Sequence, residues 1–298
     1  MNDSVISDTP AALRVAHLPS GVELAHDVAG HGHPLVFIHG VMGDWRSWDP
    51  QWSAFAGRYR CVRYSRRYNH PNRNTMASPD HSALQEAEDL LGLLDHLGWE
   101  RAILVGSSYG SFVALALALQ HPQRCAALAL SEPPMMKYAQ RSAAGREVEA
   151  SFRAEVIEPA NAAFRRGDDE AGARIMTGGI NGQGVATLTP EAMQRRLQNI
   201  GAMKTLALSS DEFPWLPPER LAALPMPVLL MAGERTPPIH AEIFRNVCAA
   251  MPQAERTLID GAGHGTSRDN PAAFNATVLD FLDRHAHQLA HTHRTAHA

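Results

Sequence analysis

The stretch ILVGSSYGSF (103–112) decides how this chain is read. A short apolar run, Ile103 to Val105, breaks at Gly106-Ser107-Ser108-Tyr109-Gly110, and a small-residue helical pattern follows to Gln120. G-x-S-x-G between a strand and a helix makes a reversal so sharp that the serine stands at its tip. Residues two before and two after that serine must be small, because a Cβ there would strike the backbone. Only Ser108 has glycine on both sides at that distance, so Ser108, not Ser107, is the candidate nucleophile. The helix that starts there adds backbone N–H groups and a positive dipole end. The N–H of Tyr109 is the expected donor to an oxyanion formed on the serine.

The same alternation extends in both directions. RVAHLPSGVELAHDVA (13–28) reads as two short strands around a Pro-Ser-Gly turn. PLVFIHG (34–40) is a continuous apolar run suited to a strand buried on both faces, and RCVRY (60–64) is a weaker strand. Leu84, Ala87, Leu91 and Leu94 recur at helical spacing before Gly98. AALAL (126–130), PVLLMAG (227–233) and RTLID (256–260) are further strands, with helices expected over 239–251 and 271–284. Strand and helix in alternation predict an α/β fold, a mostly parallel sheet with helices on both faces.

Between residues 134 and 222 no strand pattern occurs. A helix is expected from about Arg141 to Arg166, with Phe152, Val156, Ala160 and Phe164 on one face, and another from Thr189 with Pro190 in its first turn. The expected organisation is therefore a core of 13–133 and 223–285, a helical cap of 134–222, and a histidine-rich, frayed tail of 286–298.

Composition narrows the function. Apolar residues make up 45% and charged residues 19%, as in a soluble globular protein. A net charge of -4 gives no reason to expect nucleic acid or an acidic membrane surface as a partner. No run is long enough to span a bilayer, and MNDSVISDTP lacks the features of a secretion signal. Cys61, Cys125 and Cys248 make no metal or redox spacing. The expectation is a cytoplasmic protein with reduced thiols that acts on a small molecule. Neither a metal nor an organic cofactor is implied, and the oligomeric state is left open.

Taken together, the His39-Gly40 pair after a buried strand, the GSSYG turn, the cap-sized insertion and GAGHG (261–265) make residues 13 to 285 resemble the α/β-hydrolases with a helical cap. The resemblance implies roles for further residues. His264, in the glycine-rich loop after RTLID, stands where the family keeps its catalytic base, and imidazole has the proton affinity the serine needs. His39 shapes its loop in such proteins instead of acting as base. The second oxyanion donor is expected from the N–H of Val41 in HGVMGD (39–44).

One position departs from the pattern. The family often places its acid after the strand that follows the cap, and there this chain has GERTPP (233–238), with Thr236 in the acid's place. ALALSEPPMM (127–136) offers a replacement: Glu132 lies at the carboxyl end of the strand after the nucleophile's helix, where some members of the fold carry their acid. Pro133 and Pro134 stiffen the chain beyond it. Glu234 is the rival acid, and Asp260 is too near His264 along the chain to reach round it.

Met135, Met136, Trp45, Trp215 and His39 are the candidate pocket residues. No cluster of arginine or lysine points at the site, Arg66 and Arg67 excepted, so a strongly anionic substrate is not expected. The reading is a serine hydrolase that cleaves an ester or lactone of a small, fairly apolar molecule through an acyl-enzyme. C–C bond hydrolysis, perhydrolysis or cofactor-free oxygenation on the same residues is the alternative, and Thr236 keeps a non-catalytic binding protein in view.

Overall fold

The computed structural model describes residues 13–291. One sheet holds eight strands: β1 (Arg14–His17), β2 (Glu23–Ala29), β3 (Pro34–Ile38), β4 (Arg60–Tyr64), β5 (Ala102–Ser107), β6 (Cys125–Ser131), β7 (Val228–Gly233) and β8 (Glu255–Ile259). Their order across the sheet is β1-β2-β4-β3-β5-β6-β7-β8. β2 pairs antiparallel with both β1 and β4, and from β4 to β8 every neighbouring pair is parallel. The order reverses beside β3: the chain steps outward to β4, then returns to lay β5 on the other side. Ligand crevices of open parallel sheets form at such a reversal, outside the carboxyl ends of the strands.

Helices cover both faces, which is why the central strands are apolar throughout and not alternating. Along β5 the side chains still divide by face: Leu104 enters one core, Ile103 and Val105 the other. The first core packs against α2 (Ala83–His96) and α3 (Tyr109–Gln120); the second packs beneath α1 (Asp49–Ala56) and the later helix Pro271–Arg284. α3 is buried from Tyr109 to Leu119, and Ala114, Ala116 and Ala118 let it lie close to its neighbours. α1 was not foreseen, although Trp48, Trp52 and Phe55 have helical spacing.

Every described element between β6 and β7 is a helix: α4 (Met136–Ala139), α5 (Ala143–Phe152), α6 (Glu158–Arg165), α7 (Asp169–Ile180), α8 (Pro190–Gln198), α9 (Ile200–Leu208) and α10 (Pro218–Ala222). A π-helical turn, Arg153–Ile157, joins α5 to α6 just before Pro159. Proline lacks the N–H for the regular ladder and its ring crowds the carbonyl four residues back, so a wider turn relieves both. Thr189 caps α8 through its hydroxyl, which accepts from the N–H of Ala192. α11 (Pro238–Ala250), α12 (Thr266–Asp269) and α13 (Pro271–Arg284) complete the core.

Only residues 286–291 of the tail are described, and there a helix stands in place of the frayed segment expected. Residues Ala286–His291 form α14, and Leu289 is buried in the second core. The remaining tail histidines, at 293 and 297, lie outside the described residues. Cys61, Cys125 and Cys248 are buried free thiols. Burial pushes Cys61 and Cys125 up to about 12, which keeps them protonated and unreactive. Among the described residues no helix is long and apolar enough to cross a membrane.

Candidate active site

Ser108 occupies the tip between β5 and α3 with φ 51°, a left-handed conformation that costs a non-glycine residue roughly 1–3 kcal/mol. The surroundings impose it. A Cβ at Gly106 would lie 2.7 Å from the backbone of Ser111, and one at Gly110 would lie 2.0 Å from the carbonyl oxygen of Ile38. The Ser108 N–H donates to Ser131 O at 2.8 Å, which ties the turn to the end of β6.

His264 reaches the serine from the loop after β8. Its Nε2 lies 3.0 Å from Ser108 Oγ. The loop is drawn in because Gly233, ending β7, has no side chain: a Cβ there would meet Gly263 O at 2.1 Å. Arg235 N–H donates to Ala262 O at 2.8 Å and fixes the same approach.

Glu132 faces the other side of the ring. His264 Nδ1 donates to Glu132 Oε2 at 2.5 Å. Glu132 is 2% exposed, so its carboxylate needs several donors in place of water. It has them: Gly233 N–H donates to Oε1 at 2.7 Å, and Thr236 Oγ1 donates to Oε2 at 2.7 Å. Thr236, the residue that stands in the acid's expected place, is thus a hydrogen-bond donor to the carboxylate just after β6. Glu132 also has a positive φ, 44°, so two consecutive strand ends carry strained residues aimed at one point. Glu234 goes elsewhere. Its Oε2 accepts from Gly261 N–H at 2.8 Å at the surface and braces the His264 loop from outside. Asp260 is exposed.

The loop after β3 passes close to the nucleophile, and a Cβ at Gly40 would sit 3.8 Å from Ser108 Oγ. Its carbonyls are held by side chains one after another. His39 Nδ1 donates to Gly40 O at 2.8 Å. Asn69 Nδ2 donates to Val41 O at 3.2 Å and Gly43 O at 2.8 Å, and Arg196 Nη1 to Met42 O at 3.1 Å. Peptide planarity sends the Val41 N–H opposite to the Gly40 carbonyl. The Tyr109 N–H lies in the first turn of α3, where no intrahelical acceptor exists. His39 is completely buried, its Nε2 accepts the N–H of Arg66 at 3.0 Å, and desolvation with the Arg66 charge lowers it to about 4. It is a neutral brace for the loop.

Two cavities meet at Ser108 and His264. The first, of about 600 Å³, is lined by Phe152, Ile157, Leu206 and Phe213 together with Met136 and Val41. The second, about 510 Å³, contains Met42, Asp44 and four arginines, Arg46, Arg195, Arg196 and Arg268. This corrects the expectation that no basic cluster converges here. They come from three separate stretches of the chain, Arg46, Arg195-Arg196 and Arg268, which meet only in the fold. Arg66 and Arg67, the named exceptions, are taken up internally by Glu86 and Asp89. Of the other expected pocket residues, Trp45 lies under the Arg63 guanidinium, Trp215 stacks on Tyr138 at 5.0 Å with 46% exposure, and Met135 is buried in the core. None of these three lines either cavity.

Two residues went unnoticed in the sequence. His240, in the first turn of α11, stacks on His264 with ring centroids 3.8 Å apart. Its Nε2 donates to Ile180 O at 3.0 Å, and burial, reinforced by His264, holds it well below the usual imidazole range. It is a neutral plate that sets the plane of the His264 ring. Glu212, before Phe213, sits in the wall of the first cavity. Neither has a local motif. His240 is one histidine among sixteen, and Glu212 lies in an irregular stretch. Glu132, His240 and His264 each offer a ligand atom within 4.8 Å of the others. A metal there would have to displace the proton that His264 Nδ1 shares with Glu132.

A serine hydroxyl, an imidazole and a buried carboxylate in this order can pass a proton from oxygen to nitrogen while the imidazolium is held by charge. The chain matches the family described as the alpha/beta hydrolase family over residues 35–277. It is 29% identical over 278 residues to a protein of Caulobacter sp. (strain K31) with the provisional name carbamate hydrolase RutD, covering 88% of this chain and 97% of that one. It is 26% identical over 300 residues, 95% and 100% of the two chains, to a 2-hydroxy-6-oxononadienedioate/2-hydroxy-6-oxononatrienedioate hydrolase of Burkholderia vietnamiensis. The solved structure of Est816, described as an N-acyl homoserine lactone degrading enzyme, superposes with a TM-score of 0.68 over 89% of this chain and 99% of that one, at 22% identity, and so shares its fold.

Proposed function

The chain belongs to the alpha/beta hydrolase family, and from that premise we propose that it is a serine hydrolase of small carboxylic esters or lactones, working through a Ser108-His264-Glu132 triad. One observation carries the reading: His264 lies between Ser108 Oγ at 3.0 Å and a Glu132 carboxylate at 2.5 Å that Thr236 and Gly233 also hold. Glu132 fixes the tautomer in which Nδ1 carries the proton, so Nε2 is the base.

Ser108 Oγ attacks the substrate carbonyl as its proton moves to His264 Nε2. The oxyanion takes hydrogen bonds from the N–H groups of Val41 and Tyr109, each worth roughly 2.7–4 kcal/mol. Collapse breaks the bond to the leaving oxygen, which takes the proton from His264. Water then attacks the acyl-enzyme, again giving its proton to His264, and the acid leaves while Ser108 regains its hydrogen. The apolar part of the first cavity, formed by Phe152, Ile157, Leu206 and Phe213, suits the acyl group, and the cap helices act as its lid. We place the protein in the cytoplasm on the strength of its buried reduced thiols.

A fluorophosphonate probe tests this directly. Labelling of the wild type, lost in Ser108→Ala and weakened in His264→Ala, is expected, with turnover of p-nitrophenyl esters. An unlabelled, inactive wild type would point to a binding protein. A second reading, C–C bond hydrolysis of a carboxylate-bearing substrate, draws on Arg195, Arg196 and Arg268 in the second cavity and on the dianion named for the Burkholderia relative. Assay with that oxononadienedioate, beside the esters, separates the two.

A further inference from the structure

The first cavity is mixed in character: Phe152, Ile157, Leu206 and Phe213 line it together with charged side chains such as Lys137, Arg153 and Glu158, and one buried polar pair belongs to its wall. Tyr109 follows Ser108 directly, and Phe213 packs edge-on against its ring at 6.2 Å, which brings Glu212 against the Tyr109 side chain. Tyr109 is 1% and Glu212 4% exposed, and both line the cavity. The Tyr109 hydroxyl and the Glu212 carboxyl are close enough to interact, but among the described residues no hydrogen bond of normal geometry reaches the hydroxyl or Glu212 Oε2. A buried polar atom left unmatched costs about 1–3 kcal/mol. Two of them, side by side in a cavity wall next to the candidate nucleophile, are the mark of a subsite that a ligand completes.

We propose that Tyr109 and Glu212 form a polar subsite that takes a neutral carbonyl or hydroxyl carried by the substrate a few bonds from its reacting carbonyl. This rests on the hydrolase reading above and names its substrate class: an oxo- or hydroxy-acyl ester or lactone instead of a plain hydrocarbon one. Charge chooses between ligands. Burial pushes the Glu212 carboxyl up to about 9, with the charges of Glu86 and Asp211 raising it and Arg66 and the Tyr109 contact lowering it. At neutral pH it is an acid that donates one hydrogen bond, and the Tyr109 hydroxyl donates another. The Arg66 guanidinium lies 4.6 Å from the Tyr109 ring centroid with Nη2 unpaired, which disfavours a cationic group on the same spot.

The test uses full-length Ser108→Ala protein and calorimetric titration, so no turnover is needed. Propyl levulinate, with a ketone in its acyl chain, is compared with propyl valerate, which lacks one. Levulinate is expected to bind at least fivefold more tightly. Adding Glu212→Leu should bring that ratio to near one, and adding Glu212→Gln, which keeps a donor, should preserve most of it. A ratio near one in the starting protein, or a ratio unchanged by Glu212→Leu, overturns the proposal. So does tighter binding of propyl δ-aminovalerate that Glu212→Gln abolishes, since the site would then hold a cation. Failure of the wild type to hydrolyse either ester while the binding ratio stands would sink the hydrolase reading and leave the subsite supported.

Discussion

Thr236 Oγ1 donates to the same Glu132 oxygen that accepts from His264 Nδ1. Hydrogen bonds to charged groups are worth about 1.5–3 kcal/mol, so Thr236→Val should lower kcat/KM for p-nitrophenyl butyrate roughly 10- to 100-fold. Thr236→Asp is the sharper case. It restores the residue the resemblance leads one to expect, yet sets a second carboxylate within hydrogen-bond distance of Glu132. Two carboxylates that close do not both stay ionised, so activity at neutral pH should fall and not rise. With Glu132→Gln in the same chain, Thr236→Asp should instead recover about tenfold of the lost rate, because one acid again faces His264. If Thr236→Asp alone raised turnover, Glu132 would not be the working acid. Ser108, His264 and Glu132, which the structure brings together, stood out in the sequence because each follows a strand within a local pattern of glycines or prolines that resembles the family's. His240, Glu212 and Arg196 carry no such pattern. Stacking, burial and convergence exist only after distant segments meet.

At the scale of elements, the cap depends on close helix contacts that permit no side chain. α7 crosses the π-helical turn at Gly179, where a Cβ would lie 2.3–2.4 Å from the Val156 methyl groups. The lining residues Phe152 and Ile157 stand just before that turn and at its end, so the crossing sets the shape of the first cavity. Gly179→Ala overpacks the contact, a change that typically costs about 1–3 kcal/mol. The expected result is a lower melting temperature together with a raised KM and a kcat little changed, since Ser108, His264 and Glu132 lie at the strand ends of the sheet and not in the cap. Val156→Ala in the same chain should recover both. An unchanged KM in Gly179→Ala would show that the crossing does not shape the cavity. The helices with strong signals, α2, α8, α11 and α13, were legible through apolar spacing or a Pro start, and the parallel strands through unbroken apolar runs. α7 was not, because its buried face is built largely from Gly172, Ala173, Thr177, Gly178 and Gly179, with only Met176 and Ile180 large and apolar, so the smallness that allows the contact leaves hydropathy little contrast.

At the scale of the molecule, two cavities that both mix apolar with charged side chains open on one serine, so a substrate is oriented by charge as well as by size. In the second, Arg196 is desolvated beside Arg195 and Arg268, and its guanidinium is lowered from its ordinary value. An anionic leaving group would relieve that arrangement. Arg196→Met should therefore cut kcat/KM for an ester whose alcohol portion bears a carboxylate more than for its neutral counterpart. Equal losses would confine Arg196 to bracing Met42 O. The first cavity makes a different demand, because Glu212 is kept neutral at the expense of the fold. Its carboxyl titrates at about 9 in the folded chain against an ordinary 4.5. Below 4.5 both folded and unfolded chains hold the proton, and the group is neutral in the balance. As pH rises from there towards 9 the unfolded chain gives the proton up while the folded chain keeps it, so stability is lost progressively and levels off above the folded value. Glutamine has no proton to lose. Glu212→Gln should thus match the wild type near about pH 5 and exceed it by up to a few kcal/mol near about pH 8.5. Urea midpoints of the two proteins at both pH values read this directly. A gap that stays constant between them would mean that Glu212 is ionised in the folded protein, and the cavity would then hold a charge instead of a donor.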